Sequence, residues 1–125
     1  MKKLQKLMDD IGAWSDSEFG TAQRNPGIAH HLKKEVDELI EALTLFKASV
    51  ADDTVKVTEK VGQWNKVVFE YADCLILLLD SAHHFSLSAK QLVYFARRKL
   101  KTNKARKWGV PDENGVVEHV REEAT

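Results

Sequence analysis

Two pairs of acids are the residues in this chain whose type and spacing could do chemistry. Glu35 and Glu38 lie in "HLKKEVDELIEAL", and Glu70 and Asp73 lie in "FEYADCLILLLD". Both segments are otherwise rich in apolar residues, and in each the two acids are three residues apart. On a helix, side chains at i and i+3 project to one side. Burying ionised acids costs several kcal/mol each even after relaxation, and four that converge repel until some take up protons. A divalent cation removes that conflict. Carboxylate oxygens are the hard ligands that Mg²⁺ and Mn²⁺ prefer, and two ions would neutralise four charges. The chemistry implied is metal binding by Glu35, Glu38, Glu70 and Asp73.

The direction of each side chain follows from an advance of about 100° per helical residue. With Glu35 as zero, Ile28, Leu39, Ala42 and Phe46 fall within about 40°, and Glu38 lies about 60° to one side, at the angle of Leu32. Asp37 and Glu41 point outward and read as surface charge. Around Glu70, Leu77 falls within about 20° and Cys74 within about 40°, with Asp73 about 60° aside. A single i, i+3 acid pair is usually a solvated face. Two such pairs inside apolar stripes are not explained that way. Asp80, on the Asp73 side two turns later, is expected to pair with a basic residue.

Lys99, Asn103 and Arg106, at i, i+4 and i+7, continue the face of Leu92, Phe95 and Ala96. Snorkelling stems or charges at a helix C-terminus would account for them alone. Beside a carboxylate–metal site they are what a polyphosphate requires, Arg gripping two oxygens and Lys supplying a point charge. His31 shares the face of Glu35 one turn earlier; it touches a phosphate or orients a ligand, or it is a core histidine with its hydrogen bond satisfied. His83 and His84 read as a polar helix end.

The elements that must position these groups are helical. Leu4, Leu7, Ile11 and Trp14 mark a short amphipathic helix, followed by a loop, "SDSEFGTAQRNPG". Asn25 as N-cap with Pro26 at the first helical position starts a second helix, expected to reach about Ala48. A third begins near Asp53 or Thr54 and extends to about His84, with Gly62 as a candidate interruption; its apolar faces make it the central helix. Ser88 with Gln91 forms a capping box, and Leu87 with Leu92 the hydrophobic staple, at the start of a fourth helix that runs to about Lys107. The segment after "WGVP" is polar and carries an Asn-Gly turn signal. The expected architecture is all-α and four-helix-bundle-like, with a helical domain over residues 1–108 and a polar tail over 109–125.

A length of 125 residues suits one domain. The formal net charge of zero argues against a broad electrostatic footprint for nucleic acid or an anionic membrane. Cys74 is the only cysteine, so no intrachain disulfide forms, and a small thiol in an apolar run suits a reducing cytosol. Asp9 and Asp10 interrupt any signal-peptide core, and "CLILLL" is far short of the ~20 residues of a membrane span. A cytoplasmic protein is expected. There is no GxxxxGK[ST] phosphate loop and no His-Asp dipeptide.

The order "HLKKEVDELIEAL", "EYADCLILLLD", "KLKTNKARKW" resembles the MazG-like all-α nucleoside triphosphate pyrophosphohydrolases, and within them the dATP/dGTP pyrophosphohydrolase branch common in phages and bacteria. "WSDSEFG" and "HHLKKE" resemble that branch as well, so the likeness covers about residues 11–108. The family's Glu-x-x-Glu pair corresponds to Glu35 and Glu38, and its Glu-x-x-Asp pair to Glu70 and Asp73. The resemblance implies Mg²⁺-dependent cleavage (Mn²⁺ as a substitute) of a nucleoside triphosphate between its α and β phosphates, giving a monophosphate and pyrophosphate. It implies that the four acids hold metal, that one of them, with Glu38 the first candidate, also orients the attacking water, and that Lys99, Asn103 and Arg106 hold phosphates. It further implies a homodimer or homotetramer. Trp14 and Phe19 are candidates for the base slot, the alternative being helix-end anchors in the core. Two rivals are a ferritin-like redox bundle, whose Glu-x-x-His pattern neither acid pair continues, and a non-enzymatic helical adaptor whose buried acids specify assembly.

Overall fold

The computed structural model describes residues 1–121. They form four helices: α1 (Lys2–Phe19), α2 (Gly27–Ala51), α3 (Val57–His84) and α4 (Ala89–Ala105). Among the described residues the other regular pairing is one antiparallel bridge, Trp108 with His119. The fold is therefore all-α, as the periodicity requires. The chain divides into two compact units, Met1–Ala89 and Lys90 onward. No helix among the described residues is long and apolar enough to cross a membrane.

In the first unit α3 packs against both α1 and α2, which makes it the central helix. Its length is uninterrupted at Gly62; packing along the helix outweighs the cost of about 1 kcal/mol for one glycine. Met8 and Leu79 are fully enclosed, and Ile11, Ile28, Ala42, Val67 and Ala82 are also buried.

Helix α1 differs from expectation in length and face. It continues through "SDSEF" rather than ending at Trp14. Gly20 stops it, with φ 87° and its N–H donating to the Asp16 carbonyl at 2.9 Å, a backbone conformation that glycine adopts without strain. Its buried residues are Met8, Ile11, Gly12 and Ser15, while Leu7 and Trp14 are 40% and 54% exposed. Small residues decide this face. A Cβ on Gly12 would lie 2.5 Å from the His83 ring, so α1 and α3 approach more closely there than a larger side chain permits.

The α2 boundaries differ as well. Asn25 does not cap α2; its amide is committed to α3, donating to the Ser81 carbonyl at 2.9 Å and accepting from Ser81 Oγ at 2.8 Å. The helix starts at Gly27 and reaches Ala51. Asp52 Oδ1 then accepts from the N–H of Thr54 at 2.9 Å and its hydroxyl at 2.6 Å. That turn holds residues 53 and 54 outside α3.

In the second unit the Asn-Gly signal marks a real turn. Asp112 Oδ1 accepts from the N–H of Asn114 at 2.8 Å, Gly115 takes φ 78°, and the Asp112 N–H donates to the Val116 carbonyl at 2.9 Å. Gly109 N–H donates to the Glu118 carbonyl at 2.8 Å, so the segment after Trp108 folds back on itself. The last four residues of the expected tail, 122–125, lie outside the described residues.

Candidate active site

Helices α2 and α3 bring their acids together. Glu35, Glu38 and Glu70 each place a carboxylate oxygen within 4.8 Å of the other two. Glu38 is exposed, whereas Glu35 and Glu70 are half-buried. Oε2 of Glu35 and Oε2 of Glu70 are buried with no hydrogen-bond partner. A buried acceptor without a donor is costly, and an all-oxygen donor set with unmet lone pairs suits a hard divalent cation. The residues present therefore fit one. Asp73 is exposed and lies outside the group of three, though close enough to act on it by its charge.

The electrostatics carry the mark of crowding. A hydrogen bond with Glu38 raises the Glu35 carboxyl above the usual range, and burial and the charges of Glu38, Asp73 and Glu70 add to the effect. Two carboxyl groups hydrogen-bond only when a proton is shared between them. Burial, then the charges of Glu35, Glu70 and Asp73, push the Cys74 thiol up.

A cleft of about 760 Å³ opens beside the acids and is bordered by Glu35, Asp73 and His31. Trp14 and Phe19 form its apolar wall. Their rings meet edge to face with centroids 5.6 Å apart. Both are more than half exposed, so neither is a core anchor. His31 is no core histidine either: it is exposed, and its Nε2 lies 3.4 Å from Glu35 Oε1. In the second unit Lys99 is exposed, and Arg106 Nη1 donates to Asn103 Oδ1 at 3.3 Å.

A second polar group lies on this cleft: Asp80 pairs with a basic residue, as expected from the sequence, but its partner Arg24 and the place of the pair on the cleft were not legible there. Arg24 and Asp80 both border it. Asp80 is 4% exposed. Its Oδ2 accepts from Ser15 Oγ at 2.8 Å and lies 3.6 Å from Arg24 Nη2. Arg24 also donates to Ser15 Oγ, its guanidinium stands 5.1 Å over the Phe19 ring, and its Nε is buried without a partner. Asp80 Oδ1 lies 3.1 Å from Nδ1 of His84, whose Nε2 is 2.8 Å from Asp16 Oδ1. His84 is thus no free polar helix end. Both its ring nitrogens face oxygen acceptors, an arrangement that the protonated ring satisfies with two donors. Burial alone would lower the His84 pKa, but the bonds to Asp16 and the Asp80 carbonyl and the charges of both acids leave it raised. The one signal in the sequence was Asp80 four residues before His84. Arg24 sits in the α1–α2 loop, where periodicity says nothing.

The family model described as dATP/dGTP pyrophosphohydrolase matches residues 56–125, more than half of the chain. That span holds Glu70, Asp73, Lys99, Asn103 and Arg106, and begins after α2. No curated protein and no solved structure matches the chain.

Proposed function

The chain belongs to the dATP/dGTP pyrophosphohydrolase family and is a hydrolase acting on nucleoside triphosphates, and from that premise we propose a divalent-metal-dependent enzyme, using Mg²⁺ or in its place Mn²⁺. It cleaves dGTP, dATP or both between the α and β phosphates, releasing the monophosphate and pyrophosphate. Membership in this family replaces the adaptor reading. The observation that carries the mechanism is the meeting of Glu35, Glu38 and Glu70, with orphaned buried oxygens on two of them.

Glu35, Glu38, Glu70 and Asp73 are the proposed metal ligands. Held there, a divalent cation would polarise phosphate oxygens and lower the pKa of the attacking water. Glu38, exposed at the edge of the group, orients that water and accepts its proton. The water oxygen bonds to phosphorus as the α–β anhydride bond breaks, and the leaving oxygen departs with its phosphate. Trp14 and Phe19 hold the base against the cleft wall, and His31, beside Glu35, contacts a phosphate. Lys99, Asn103 and Arg106 bind the remaining phosphates. The enzyme works in the cytoplasm as a homodimer or homotetramer, with no nucleic acid or membrane partner. In support of the assembly, Val61, Trp64, Val68, Tyr71, Leu75 and Leu78 form a stripe on α3, each between 41% and 53% exposed.

The test is a panel of dNTPs and NTPs with Mg²⁺, resolving nucleotide products and assaying pyrophosphate and phosphate separately. A monophosphate with pyrophosphate, from one or two nucleotides, is the expected result. Free phosphate with a diphosphate would overturn the cleavage position, and no turnover of any nucleotide would overturn the reaction.

A further inference from the structure

We propose that Lys66 binds the pyrophosphate end of the substrate and offsets its charge as it leaves. The inference rests on the cleft and the acids being the nucleotide site, and adds a residue to the reaction there. A second, smaller cavity of about 180 Å³ is bordered by Glu38, Glu41 and Leu45 of α2 and by Lys66 and Glu70 of α3. The cleft with Trp14 and Phe19 is bordered instead by Ile28, His31 and Glu35 of α2 and by Asp73 and Asp80 of α3. Along α2 the cleft comes first and the cavity second; along α3 the order is reversed. Helices in contact and joined by a short connection, here residues 52–56, run antiparallel. Cleft and cavity are then successive stretches of one α2–α3 groove, with the acids at their junction.

That order sets the direction of a bound triphosphate. With the base on Trp14 and Phe19 and the α phosphate at the acids, the β and γ phosphates continue away from the base. They meet Lys66, one helical turn and about 6 Å of rise before Glu70. The step itself asks for a cation there. When the α–β anhydride bond breaks, its electron pair stays on the bridging oxygen and departs with the pyrophosphate. Negative charge therefore grows on a group whose path is bordered by Glu38, Glu41 and Glu70. Among the described residues Lys66 is the one cation bordering that cavity, and it forms no ion pair with the three carboxylates beside it. A lysine serving only to neutralise them would gain by pairing with one. An uncommitted ammonium on a flexible stem is instead suited to follow phosphate oxygens as a point charge.

The experiment measures binding of inorganic pyrophosphate, dGMP and dAMP to the full chain with Mg²⁺ by calorimetry, alongside kcat/KM for dGTP and dATP. Intact protein is compared with Lys66→Gln and Lys66→Arg. Lys66→Gln should weaken pyrophosphate binding by about tenfold or more, the usual worth of a hydrogen bond to a charged group. It should lower kcat/KM for both triphosphates and leave monophosphate binding unchanged, while Lys66→Arg, which keeps the charge, restores pyrophosphate binding. Lys66 is exposed, so both variants should keep the helical signal in circular dichroism. Unchanged pyrophosphate binding in Lys66→Gln, or an equal loss for pyrophosphate and monophosphates, would overturn the assignment. A selective loss of pyrophosphate binding in a protein that turns over no triphosphate would keep Lys66 as a phosphate-binding group and sink the proposed reaction instead.

Discussion

Glu35 concentrates the problem that the active site has to solve. It shares a hydrogen bond with Glu38, feels three neighbouring acids, and keeps one oxygen buried and unpartnered. Its folded pKa is raised, so the neutral form is favoured in the native state. The stability that this gives is present below about pH 4.3, the ordinary glutamate value, and is lost as pH rises through the folded value. Glu35→Gln removes the charge without the volume. The variant is expected to melt above the wild type in EDTA, with the gap widening as pH rises from about 4.3. It should also lose the rise in Tm that Mg²⁺ gives the wild type, because a ligand that binds only the native state stabilises it by mass action. A wild type that melts above Glu35→Gln at pH 8 without metal would contradict the crowding argument. Glu70→Gln should lower kcat by more than about 100-fold, above the usual cost of losing a group that merely supports a ligand, while far-UV circular dichroism keeps its helical signal. Near-wild-type turnover would remove Glu70 from the metal site.

At the scale of elements, the α1–α3 contact is set by small residues and closed by a histidine. Gly12→Ala gains up to about 1 kcal/mol of helix propensity but drives a methyl into the His83 ring, and overpacking costs about 1–3 kcal/mol. The single variant is expected to lower Tm. In a His83→Ala background the same change should raise it, and a double-mutant cycle measured by thermal melts reads that reversal of sign. The neighbouring His84 ties α3 to α1 through Asp16. Its folded pKa is raised, so its contribution is complete below about pH 6.5 and fades as pH rises through the folded value. Asp16 is lowered, first by the hydrogen bond from His84, so its share is present above about pH 3.9 and is lost as pH falls. Melting wild type and His84→Gln between pH 5 and pH 9 should give the larger gap at the acid end. A gap independent of pH would mean that the ring acts only by filling space.

For the whole molecule, exposed apolar area is the strongest constraint. The α3 stripe from Val61 to Leu78 repeats at three- and four-residue steps, and Val36, Ile40 and Leu43 make a similar line on α2, each at least 36% exposed. Apolar side chains repeating along one helical face drive burial against a partner. Trp64→Asp should shift the protein from dimer or tetramer to monomer in light scattering, with helix content retained. A wild type that is monomeric at micromolar concentration would exclude the stripe as an interface.

Local periodicity by itself determined the helices and the inward side of α2. It also put Glu35, Glu38 and Glu70 on the faces that meet, since the direction of a side chain on a helix depends only on spacing. The Asn-Gly turn was legible for the same local reason. Tertiary structure alone decided the face of α1, because Gly12 and Ser15 carry little hydrophobic signal and matter through how closely α3 can approach them. It alone brought Arg24, Asp16 and Ser15 to Asp80 and His84, partners 56 to 68 positions apart, and spent the Asn25 side chain on Ser81 rather than on a helix cap. Those pairings depend on distances between helices, and no pattern of three and four residues along one chain encodes them.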